Sequence, residues 1–164
     1  MKRENVTYKS THERLAAEGF LPEQPLTVRS KISTNEKGKR YVLVAGGLES
    51  VVYAVDGYII KNGLRCDRLV LVKYPTDEKE SEGWAEVFVE LKGVDTNHAI
   101  DQLRETLKKG IFKHPSNIII RARIVAQSFP SNKSNPAMEK AKQEFRKNYN
   151  CELRGMKSGQ EDTI

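Results

Sequence analysis

The sequence predicts a mixed α/β protein of the α+β kind, with a mixed central β-sheet flanked by helices. Three observations carry this expectation. Residues 84–110, WAEVFVELKGVDTNHAIDQLRETLKKG, read as a strand that runs straight into a helix. Residues 117–129, NIIIRARIVAQSF, read as a buried strand, so the helix links two strands as a crossover does. Upstream, from Arg40, β-branched and aromatic runs alternate with Gly and Asn turn signals.

In chain order, Thr11 to Phe20 reads as a short helix, with Thr11 as its N-cap, Gly19 at its end, and Leu15, Ala16 and Phe20 facing inward. Pro22 and Pro25 forbid a helix after it, and LTVRSKI reads as one short strand. NEKGK, residues 35–39, is a hairpin turn around Gly38. RYVLVAGG is a strand ending at Gly46 and Gly47, and SVVYAVDGYII is either one bulged strand or two strands around Asp56-Gly57. Lys61-Asn62-Gly63 is a turn, residues 66–74 are a strand, and YPTDEKESEG is an exposed hairpin loop. The helix after Gly93 is capped by Asp95 or Thr96, buries Ile100, Leu103 and Leu107, and stops at Gly110. His98 reads as a surface residue of its first turn. A polar link, PSNKSN, leads to a last helix with Asn135 as N-cap and Pro136 at its first position. Ala137, Met138, Ala141, Phe145 and Tyr149 form its apolar side, opposite a basic side. The final fifteen residues either add one edge strand or stay loose.

At 164 residues the chain is long enough for one domain with a real core. It divides into an N-terminal region (1–40), a core (41–129) and a basic C-terminal helix with a tail (130–164). No run approaches the length of a membrane span, and MKRENVTYKS lacks the apolar centre of a signal peptide. Cys66 and Cys151 have neither CxxC nor zinc spacing, which reads as two free thiols in a reducing cytoplasm. The net charge of +6 is unevenly spread. Residues 1–40 carry nine basic against five acidic side chains, residues 41–112 nine against twelve, and residues 113–164 ten against five. Basic flanks around an acidic centre suit a protein that holds a cation and draws in a polyanion.

The acidic centre has a pattern. Strand side chains alternate, so Ala85, Val87, Val89 and Leu91 share one face while Glu86, Phe88, Glu90 and Lys92 share the other. Glu90 and Lys92 then stand side by side at the last exposed step. A carboxylate there suits a hard divalent cation, and a lysine suits a water or a developing negative charge. Asp67 opens the preceding strand. If the two strands pair as antiparallel neighbours, Asp67, Glu90 and Lys92 converge.

Asp67 followed by Glu90-Leu91-Lys92 and a helix bearing Gln102 resembles the PD-(D/E)xK nuclease superfamily, over roughly residues 50–125. Cys66 stands where that family usually has Pro. The resemblance implies a restriction-endonuclease-like fold and a metal-dependent nuclease acting on phosphodiester bonds, in DNA by expectation. It implies Mg²⁺ or Mn²⁺ held by Asp67, Glu90 and the Leu91 carbonyl, with Lys92 acting on the attacking water or the developing charge. It gives Gln102 a part in shaping the site, without the tyrosine that one branch has where Thr106 stands here. It also implies a further upstream acid, with Glu49 preferred over Glu13 and Asp56. Arg121, Arg123, Lys140 and Arg146 are the expected nucleic-acid contacts, and a homodimer is compatible with cutting both strands. The other readings are a nucleic-acid-binding or assembly module on the same fold without cleavage, and a small interaction protein whose Glu90 and Lys92 form a plain surface ion pair.

Overall fold

The computed structural model describes residues 7–76, 82–91, 95–128 and 135–164. The elements are α1 (Thr11–Ala17), β1 (Gln24–Val28), β2 (Lys31–Glu36), β3 (Lys39–Val44), β4 (Glu49–Ala54), β5 (Arg68–Tyr74) and β6 (Gly83–Leu91). They continue with α2 (Thr96–Leu107), β7 (Asn117–Ala126), α3 (Pro136–Tyr149), β8 (Cys151–Lys157) and β9 (Glu161–Thr163). Six strands form one mixed sheet in the order β1-β4-β5-β6-β7-β8, and β2, β3 and β9 form a second sheet. The pairs β1–β4, β4–β5 and β5–β6 are antiparallel, while β6–β7 and β7–β8 are parallel. Each parallel step needs a long crossover, and α2 and α3 supply them. The mixed sheet with flanking helices expected from the sequence is therefore present.

Period-two alternation sorts the large sheet into two cores. Leu69, Leu71, Trp84, Phe88, Ala122 and Ile124 point to one face, where Leu15, Leu103 and Phe145 of the three helices cover them. Val70, Val72, Val87, Val89 and Val125 point to the other, under Ile32, Tyr41 and Leu43 of the small sheet. The result is three layers: helices, large sheet, small sheet. β6 lies centrally with every residue buried, which explains its near-continuous apolar run.

Local details refine the sequence reading. Ser10, not Thr11, caps α1, its hydroxyl accepting the Glu13 N–H at 3.1 Å. Leu15 is buried as expected, but Ala16 is exposed. LTVRSKI is not one strand, because the chain breaks at Arg29-Ser30 and passes from the large sheet to the small one. The β2–β3 turn has two left-handed residues, Lys37 (φ 51°) and Gly38 (φ 77°), as a tight hairpin requires. Asp95 caps α2, and Gly110 opens a short 3-10 turn rather than ending the helix. Asn150, left-handed at φ 50°, ends α3 and turns the chain directly into β8. The final fifteen residues form two strands in two different sheets: β8 edges the large sheet, and β9 runs parallel to β3. Among the described residues, no helix is long and apolar enough to cross a membrane.

Candidate metal centre

Strand register brings the two acids of the motif together. Arg68 pairs with Val89 across β5 and β6, so the next step sets Asp67 opposite Glu90. The Asp67 N–H donates to the Val89 carbonyl at 3.1 Å, and its carboxylate Oδ2 accepts the Leu91 N–H at 2.8 Å. This second bond ties the Asp67 side chain to the last residue of β6. Asp67 is 8% exposed and Glu90 fully buried, so Glu90 lies below the surface step that the sequence suggested. Lys92 lies outside the described residues.

Two more carboxylates reach Asp67 from other parts of the chain. One oxygen each of Glu36, Asp56 and Asp67 lies within 4.8 Å of the others. Asp56 follows β4, beside β5. Glu36 ends β2, at the hairpin tip that crosses this end of the large sheet. The Gln127 side chain holds that tip by donating to the Gly38 carbonyl at 3.1 Å. Of the upstream acids, the structure brings Asp56, and not Glu49 or Glu13, beside Asp67, with Glu36 in addition. Ser50 pairs with Val72, so Glu49 falls level with Lys73, six residues from Asp67 along the sheet, or about 20 Å. Glu13 sits in the first turn of α1, where it accepts the Lys9 N–H at 2.7 Å. No local signal marked Glu36, because its place depends on packing one sheet over another.

Arginines border the cluster. Arg65 Nε donates to Asp56 at 2.6 Å. Arg68 pairs with Glu23 at 2.9 Å and with Glu36 at 3.2 Å. Burial, and then the Asp67 carboxylate, push the Glu36 carboxyl above its ordinary range, and the two groups share a hydrogen bond. As anions they repel, and either a proton or a divalent cation can hold them together. An all-oxygen donor set of this kind fits a hard cation such as Mg²⁺ or Mn²⁺.

α2 supports the strand entry from behind. Gln102 Nε2 donates to the Arg65 carbonyl at 3.1 Å. Thr106, fully buried, accepts the Cys66 N–H at 2.9 Å and donates to the Gln102 carbonyl at 2.7 Å. Gln102 and Thr106 thus brace the backbone immediately before Asp67. No local signal marks Thr106, because its part depends on α2 packing against the chain at Cys66. Cys66 is buried in the same corner, and burial, Glu90 and Asp67 together push its thiol up.

The expected nucleic-acid contacts divide. Lys140 and Arg146 are exposed on α3. Arg121 is half-buried and donates to the Thr163 carbonyl. Arg123 is fully buried and is not a surface contact: it pairs with Asp162 at 2.7 Å and with Glu152 at 2.8 Å. The reason is β9, which carries Asp162 over the β7 face that the sequence left open. Comparison with known proteins places the chain in no family: no family model, curated protein or solved structure matches it.

Proposed function

We propose that the protein is a metal-dependent nuclease hydrolysing phosphodiester bonds, with DNA as the expected substrate. One observation carries the reading: Asp67 stands opposite Glu90 at the sheet end, with Glu36 and Asp56 within 4.8 Å of it. Asp67, Asp56 and Glu36 hold the cation in this scheme, with Glu90 buried beside Asp67. A bound divalent cation offsets phosphate charge and lowers the pKa of water. The Leu91 N–H fixes the Asp67 carboxylate, while Gln102 and Thr106 fix the backbone that carries it. Lys92, next along the chain, is assigned to the attacking water or the developing charge. Lys140 and Arg146 are assigned to the phosphate backbone.

A second reading is a nucleic-acid-binding module without cleavage: the Asp67–Glu90 ligand pair that the motif implies is not open to a shared cation, because Glu90 is fully buried. Purified protein incubated with plasmid, linear duplex and single strands in Mg²⁺, Mn²⁺ or EDTA separates the two. The nuclease reading expects cleavage that EDTA abolishes and that Asp67→Asn and Lys92→Ala each reduce by about 100-fold or more. Salt-sensitive binding with no cleavage in any metal would replace it with the binding module.

A further inference from the structure

A cavity of about 520 Å³ opens on the helix-covered face, at the end of the large sheet away from Asp67. This is the size of a small-molecule site. Its walls include Phe112, Leu107 of α2 and Tyr149 of α3, and Lys113 and Lys147 also line it, both exposed.

Two polar side chains in this lining are not accounted for by the fold. Glu86 is 3% exposed, and its Oε2 has no hydrogen-bond partner among the described residues. Its same-face neighbours on β6, Trp84 and Phe88, belong to the apolar core, so packing does not call for a carboxyl here. Asn117 is 8% exposed. Its Nδ2 donates to Thr11 Oγ1 at 3.0 Å and to the Phe112 carbonyl at 3.2 Å. Those two acceptors fix the amide orientation and leave Oδ1 without a partner among the described residues. Two residues of one cavity's lining therefore each carry a buried oxygen without a partner among the described residues. Such oxygens are costly unless something donates to them.

We propose that this cavity binds a nucleotide whose base carries an amino group beside a ring nitrogen, as adenine and cytosine do. Glu86 and Asn117 hold the base, and Lys113 and Lys147 hold the phosphate. Burial pushes the Glu86 carboxyl well above its ordinary range, which favours the protonated form that this pairing uses. Its O–H donates to the ring nitrogen while its other oxygen accepts from the amino group. This is the two-point pairing that a Gln side chain makes with adenine. The site is separate from the metal centre, since Glu86 lies four residues from Glu90 along β6, or about 13 Å.

The test is calorimetric titration of the full chain, in EDTA, with AMP, CMP, UMP, adenosine and inorganic phosphate. AMP and CMP are expected to saturate and to bind at least about tenfold more tightly than UMP, whose base presents an N–H where they present a bare nitrogen. Adenosine should bind more weakly than AMP, and phosphate alone should not saturate. Glu86→Gln keeps a donor beside an acceptor and should retain AMP binding within about threefold. Glu86→Leu, matched to its apolar neighbours, should fold and lose at least about tenfold. The proposal is overturned if no nucleotide binds at millimolar concentration, if UMP or phosphate matches AMP, if folded Glu86→Gln loses binding, or if Glu86→Leu binds as the parent does.

Discussion

Asp162→Ala should unfold the protein far more readily than its place near the chain end suggests. Arg123 and Asp162 are 1% and 2% exposed at the side chain, and they pair at 2.7 Å. Tyr41 also donates to Asp162, at 2.7 Å. Removing one partner of a buried ion pair costs roughly 3–5 kcal/mol, because the other charge stays buried. Arg123 keeps Glu152 at 2.8 Å and the Glu152 carbonyl at 2.9 Å, which places the loss at the lower end. About 3 kcal/mol in a domain of this size lowers Tm by about 6–12 °C. The pH dependence has a definite sign. Burial alone would raise the Asp162 carboxyl, but Arg123, Tyr41 and the Thr163 N–H outweigh it and hold the group below its ordinary 3.8. The stabilisation is therefore complete above the unfolded value and is lost as pH falls through the lower, folded value. Urea unfolding followed through the single tryptophan, Trp84, measures both effects. A loss under about 1 kcal/mol at neutral pH, or a gap between parent and variant that widens on acidification, would refute the buried pair.

Other predictions follow from single contacts. Thr106→Val leaves the Cys66 N–H without its acceptor and should cost about 1–3 kcal/mol in the same urea assay. Both thiols should resist an aromatic disulfide reagent at mildly alkaline pH until the protein unfolds, since burial pushes Cys151 up to about 12 and pushes Cys66 up as well; fast labelling of the native protein would contradict this. If α3 contacts phosphates, Lys140→Ala and Arg146→Ala should each reduce the salt slope of DNA binding by about one, whatever the sequence.

The core was legible from period and turn chemistry. The stripe of Ile100, Leu103 and Leu107, the Asn135-Pro136 helix start and the Gly38 hairpin all lie where local rules set them. The pairing of Asp67 with Glu90 was legible too, because two apolar strands joined by one hairpin loop have few other registers. What escaped depends on contacts distant in sequence. Arg123 read as exposed because nothing near it in the chain reveals that Asp162, 39 residues later, will cover it. Glu36 read as a turn residue because its role depends on the small sheet lying over the large one. Glu49 is close to the core in sequence, yet it opens a strand antiparallel to β5, which sets it at the end far from Asp67.

Cation binding measured by calorimetry, with Tm followed in parallel, tests the central claim most directly. The parent should bind Mg²⁺ or Mn²⁺ at millimolar concentration and gain stability as RT ln(1 + c/Kd), with c the free cation concentration. Affinity should rise with pH as Glu36 releases its proton, because its raised carboxyl must ionise before it can act as a ligand. Asp67→Asn should remove both the heat and the Tm shift, while Glu49→Gln, at the other end of the strands, should leave both unchanged. If the parent shows no heat and no Tm shift with either cation, or if Asp67→Asn binds as the parent does, this sheet end is not a metal centre.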